Sequence, residues 1–73
     1  MMPLSMVPPG KYRVVEIVGG RNFIMRLSNM GLLKGDIVTV IKSGPGPVII
    51  GKGQTRIGIG PGMSNRIYVT KTT

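Results

Sequence analysis

The sequence predicts a mostly β fold, a small partly open barrel of five short strands with one short α-helix between the first and the second. Three observations carry that expectation. β-branched residues come in short runs, and the twelve glycines and six prolines stand mainly at the ends of those runs, as corners rather than as a flexible tether. A single segment changes from twofold to helical spacing. A sandwich would need more strands than 73 residues supply here. The chain, 1–73, is read as one domain, because a domain of about 60 residues buries only roughly 60% of its unfolded surface and has room for one thin core.

Pro8-Pro9-Gly10 is a turn signal, and Lys11 to Val18 follows with strong β character. Its alternation is imperfect: Val15 and Ile17 share a face with Arg13, while Glu16 falls between Val14 and Val18. A bulge, or a strand covered on both sides, reconciles the pattern. After Gly19-Gly20, Phe23, Leu27 and Met30 stand at i, i+4 and i+7 with Ile24 beside them, one face of a two-turn helix, and Gly31 occupies the left-handed C′ position that ends it. Leu32 to Asp36 turns the chain into Ile37–Lys42, apolar on both faces and therefore expected at the centre of the sheet. Ser43-Gly44-Pro45-Gly46 leads to a strand over Pro47–Lys52, Gly53-Gln54 makes a two-residue hairpin, and Thr55–Ile59 returns with Thr55, Ile57 and Ile59 inward. A last strand, Arg66–Lys71, points Ile67 and Val69 inward.

The composition limits the chemistry. The chain has no Cys and no His, which removes disulfides, ordinary zinc sites and the usual nucleophile and general base. Only Glu16 and Asp36 carry carboxylates, so an all-oxygen metal cage within one chain would need both. No catalytic, cofactor or metal residue is therefore expected, and the protein is read as a non-enzyme. The N-terminal Met1 to Pro9 has no basic n-region and no apolar h-region, and no run approaches the ~20 apolar residues of a bilayer span. The expected compartment is the cytoplasm, including the inner face of the membrane.

Two glycine motifs are structural. Gly46 to Gly53 has the spacing of a phosphate-binding loop, but Gly53 stands where Ser or Thr must bind magnesium, Pro47–Ile50 reads as strand, and no helix follows. Gly58-Ile59-Gly60-Pro61-Gly62 lacks the spacing of a dinucleotide fingerprint.

Ten Lys and Arg against two acidic residues give a net charge of +8. The cations form no run. They either solubilise a glycine-rich β protein or draw it toward an acidic protein, a nucleic acid or an anionic membrane. Of the three aromatics, Tyr12, Tyr68 and Phe23, Phe23 reads as core, which leaves no stacking platform for single-stranded bases. The helix end is where surplus apolar residues and clustered charge coincide. Met25, Met30, Leu32 and Leu33 either cap the open barrel end or form a docking surface, with Arg21, Arg26 and Lys34 as its positive rim.

Leu4-Ser5, Pro9-Gly10, the helix end Arg26-Leu27-x-x-Met30-Gly31-Leu32, the turn Lys34-Gly35-Asp36 before a β-branched strand, Pro47-Val48 and Arg66-Ile67-Tyr68-Val69 together resemble the ferrous iron transport protein A (FeoA) family. The resemblance runs from about residue 3 to residue 71 and is most specific at the helix end. It implies a cytoplasmic SH3-like barrel, similar also to the C-terminal domain of metal-dependent repressors of the diphtheria toxin repressor class. It further implies an accessory role in iron uptake, docking on the cytosolic G-protein region of the membrane transporter, ferrous iron transport protein B. One departure is visible: where the family carries a short helix between the last two strands, this chain has Pro61-Gly62-Met63-Ser64-Asn65, which puts that helix in doubt and leaves a single 3₁₀ turn. The alternative is an RNA- or ribosome-binding barrel of the KOW type, which Lys34 to Ile41 also resembles. Against it, a helix precedes the motif, and Ser43-Gly44-Pro45-Gly46 replaces the basic loop expected after it.

Overall fold

A computed structural model describes residues 1–72. The chain forms β1 (Met2–Pro3), a 3₁₀ turn (Leu4–Met6), β2 (Gly10–Ile17), α1 (Arg21–Asn29), β3 (Ile37–Lys42), β4 (Val48–Lys52), β5 (Thr55–Ile59), α2 (Pro61–Ser64) and β6 (Ile67–Lys71). One antiparallel sheet carries all six strands in the order β1-β6-β2-β3-β4-β5. The sheet curls around Val14, Val38, Val40, Val48, Ile50, Ile59, Ile67 and Val69, all almost fully buried. Leu27 from α1 and Leu32 just after it close one end, and Leu4 and Val7 join the same core.

The sixth strand corrects the expected five. Met2 pairs with Val69 and Pro3 with Tyr68, which places the 3₁₀ turn so that Leu4 is fully buried. A two-residue strand is too short to carry an alternation, so no sequence period announces it. Tyr12 is also core, and its hydroxyl donates to the Pro8 carbonyl at 2.8 Å, satisfying the one polar atom it takes out of water.

The irregular first strand contains a bulge. Val14 lies opposite Val69 but Glu16 opposite Tyr68, so Val15 is the extra residue and Ile17 returns to the core side. The helix ends as its glycine requires: Gly31 has φ +95°, its N–H donates to the Ser28 carbonyl, and the Leu32 N–H donates to the Leu27 carbonyl at 2.9 Å. These are the paired bonds of a Schellman motif, with Leu27 and Leu32 as the apolar contact that accompanies it. A second glycine with φ +96°, Gly35, occupies the third position of the Leu33–Asp36 turn. The Asp36 N–H donates to the Leu33 carbonyl at 3.1 Å, the arrangement in which only glycine is unstrained.

Three local expectations change. The segment after β5 is a four-residue helix, α2, where at most a 3₁₀ turn was expected. Pro61 at its first position has a fixed φ suited to a helix start, and the Ser64 N–H donates to the Gly60 carbonyl at 2.9 Å. β3 is internal but covered on one face only: Val38 and Val40 are buried while Ile37, Thr39 and Ile41 face outward. Thr55 is exposed, because it flanks the two-residue β4–β5 turn at Gly53-Gln54.

Candidate docking groove

The return of Ile17 to the core side after the bulge, the Schellman end of α1 and the Leu33–Asp36 turn bring three segments together. Between them lies a cavity of about 340 Å³ lined by Glu16, Ile17, Ile24, Leu32, Leu33 and Lys34. Its walls are aliphatic and its edge is charged. Leu32 forms the floor at 1% exposure, while Leu33 at 48% and Ile24 at 40% stand open to solvent at the sides.

The expected docking residues separate into four groups. Leu33 and Lys34 line this groove. Leu32 lines the groove only as its buried floor: it packs in the core, because the Schellman turn folds it back against Leu27. Met30 is half-buried, packs against the core and borders a different hollow with Gly31, Lys52, Thr55 and Ile57. Met25 is 54% exposed on α1 but, like Arg21 and Arg26, is not part of the groove lining. Ile24, expected on the buried face, turns outward and becomes a wall. The helix buries only Leu27 fully, with Phe23 and Met30 half-buried, so its apolar stripe is narrower than the i, i+4, i+7 pattern implied. Glu16 and Ile17 were missed because nothing in the strand's own period connects them to a helix that begins later in the chain.

Both carboxylates are engaged. Asp36 Oδ2 accepts from Lys52 Nζ and from the Leu33 N–H, each at 2.7 Å, and Lys52 Nζ also donates to the Gly31 carbonyl at 2.6 Å. Burial acts to raise the Asp36 pKa, but the Lys52 and Leu33 bonds and the Lys52 charge outweigh it and hold the carboxyl below its ordinary value. One lysine thus ties β4 to both glycine turns that frame the groove. Glu16 Oε1 accepts from the Ile17 N–H at 3.1 Å and lies 3.6 Å from Lys34 Nζ. That pair is largely exposed and adds little stability, yet it places one charge of each sign on the groove edge. Arg66 stacks over the Phe23 ring at 5.2 Å from its centroid, which occupies that aromatic face.

The donor set does not fit a resident iron ion. Among the described residues no group of three or more His, Cys, Asp or Glu converges, and Glu16 and Asp36 answer separate lysines. Among the described residues no helix is long and apolar enough to cross a membrane.

Comparison with known proteins gives a consistent result. A family model described as FeoA domain matches residues 2–71. The chain is similar to the crystal structure of an iron uptake regulatory protein (FeoA), with 42% identity and a TM-score of 0.85, covering 97% of this chain and 96% of that one. It shares its fold, at 18% identity and a TM-score of 0.88, with the manganese regulator SloR, covering 97% of this chain and 34% of that one. No curated protein matches the chain. The small barrel is thus the SH3-like one that the resemblance implied.

Proposed function

The chain belongs to the FeoA family, small accessory proteins of ferrous iron uptake, and from that premise we propose that it docks on the cytosolic part of the membrane iron transporter through the groove beside α1. The exposed aliphatic walls of that groove carry the reading. Ile24 and Leu33 stand in water over a floor formed by Leu32, and an apolar side chain of the transporter laid between them would complete their burial. The Lys34 and Glu16 charges at the edge orient a partner without supplying most of the affinity. Iron is the transporter's cargo, and this chain acts on the protein that carries it, from the cytoplasmic side.

The RNA-binding alternative has less support. Tyr12 is buried, Phe23 lies under Arg66 and Tyr68 is half-buried, so no aromatic platform is presented to bases. The test is a titration of the purified cytosolic region of the transporter with wild-type protein and with Ile24→Ser/Leu33→Ser. The double variant is expected to bind at least about tenfold more weakly, since each residue has roughly half a side chain left to bury. Unchanged binding would remove the groove from the account.

A further inference from the structure

On the outer face of the sheet, away from the groove, the register aligns Lys11 on β2, Thr39 on β3, Gly51 on β4 and Arg56 on β5 in one row across four strands. Arg13 stands two residues along β2, opposite Ile37 on one side and Thr70 on the other. At strand spacings near 4.8 Å the row is about 14 Å long. Gly51 leaves a hollow of about 440 Å³ at its centre, into which the Ile41 side chain leans, with its Cδ1 3.3 Å from where a Gly51 Cβ would lie.

Two properties meet on this face. Lys11, Arg13 and Arg56 are exposed, and both carboxylates lie elsewhere, paired with Lys34 and Lys52. Ile37 and Ile41 are 41% and 39% exposed between those cations. A solvated face has no use for two large aliphatics in its centre. A face that stacks single-stranded bases would carry aromatics, and none lines it. Cations spread over such a span, with aliphatics among them, match an array of phosphates that has hydrocarbon beneath it.

We propose that the outer face of β2, β3, β4 and β5 is a binding surface for an anionic phospholipid bilayer, with Lys11, Arg13 and Arg56 on the headgroups and Ile37 and Ile41 at the acyl boundary. The surface shares no lining residue with the docking groove. It therefore goes beyond transporter docking, and either one can fail alone.

The test is co-sedimentation with vesicles of phosphatidylcholine alone and with vesicles in which about a third of the lipid is phosphatidylglycerol. Wild-type protein is expected to bind the anionic vesicles only and to be released by salt. Each of Lys11→Gln, Arg13→Gln and Arg56→Gln should weaken binding about fivefold and the triple variant about a hundredfold. Thr39→Glu, which sets a carboxylate between Lys11 and Arg56 while leaving every cation in place, should weaken it about fivefold and serves if the triple variant does not fold. Leu33→Ser should bind vesicles as wild type does. Several results would overturn the proposal: equal binding to neutral vesicles, no binding to anionic ones, or Thr39→Glu and the triple variant binding normally. Release by millimolar inorganic phosphate at constant ionic strength, marking a single-anion site, would also overturn it. So would RNA binding that is tighter and lost in the same variants.

Discussion

Leu32 and Leu33 are adjacent leucines on opposite sides of the boundary between core and surface, and substituting them one at a time separates folding from docking. Leu32 is 1% exposed, so Leu32→Ala loses the transfer energy of the removed atoms and leaves a cavity against Leu27, at a cost of about 2–5 kcal/mol. A 73-residue domain has a total stability of only about 4–11 kcal/mol. The variant should therefore melt roughly 10–30 °C below wild type, if it folds at all. Leu33 is 48% exposed, and Leu33→Ser removes little that the folded monomer uses. Its melting point should stay within a few degrees, a change of about 0.5 kcal/mol. What Leu33→Ser removes is the half side chain still available to a partner, about 0.7–1.5 kcal/mol, or roughly three- to tenfold in affinity for the transporter's cytosolic region. Circular-dichroism melts and a binding titration on the same preparations read both quantities. Comparable losses of stability in the two variants would refute the placement of the boundary, as would Leu32→Ala melting within a few degrees of wild type.

Asp36 gives the pH dependence. Its carboxyl titrates lower in the folded protein than its ordinary value of 3.8, so its contribution is complete above that value and is lost as pH falls through the folded one. Asp36→Asn should melt below wild type at neutral pH, and the difference should shrink in acid; a gap that widens in acid would contradict the pairing. Gly31→Ala forces a side chain into φ +95° and should cost about 1–2 kcal/mol, read as a melting shift. Gly20 caps α1 without a side-chain hydrogen bond, has extended backbone, and has nothing within 4 Å of where a Cβ would lie. Gly20→Asp should therefore stabilise the protein by about 0.5–1 kcal/mol in the same assay.

Most of the barrel was legible because its signals are local. The alternations of Ile57–Ile59 and Ile67–Val69, the turns at Gly31 and Gly53-Gln54, and the parity fault at Val14–Glu16 each state their structure in a few residues. What was not legible depended on residues meeting from far apart. β1 exists only because β6 offers it an edge, and Leu4 is core only because that pairing places it. The groove was half legible: the helix end marked Leu33 and Lys34, but Glu16 and Ile17 reach it through the β2 bulge. Ile24 and Leu32 exchanged roles because the Schellman turn, not the helical period, decides which apolar residue near the helix end is buried. The outer-face row needed a register, since Lys11, Thr39, Gly51 and Arg56 share no spacing in the chain.

Amide resonances read residue by residue test the docking account most directly. When isotope-labelled protein is titrated with the unlabelled cytosolic region of the transporter, saturable shifts are expected at Ile17, Ile24, Leu33 and Lys34, four of the six residues that line the groove. Saturable shifts confined to Lys11, Thr39 and Arg56, or no shifts at saturating partner, would contradict it.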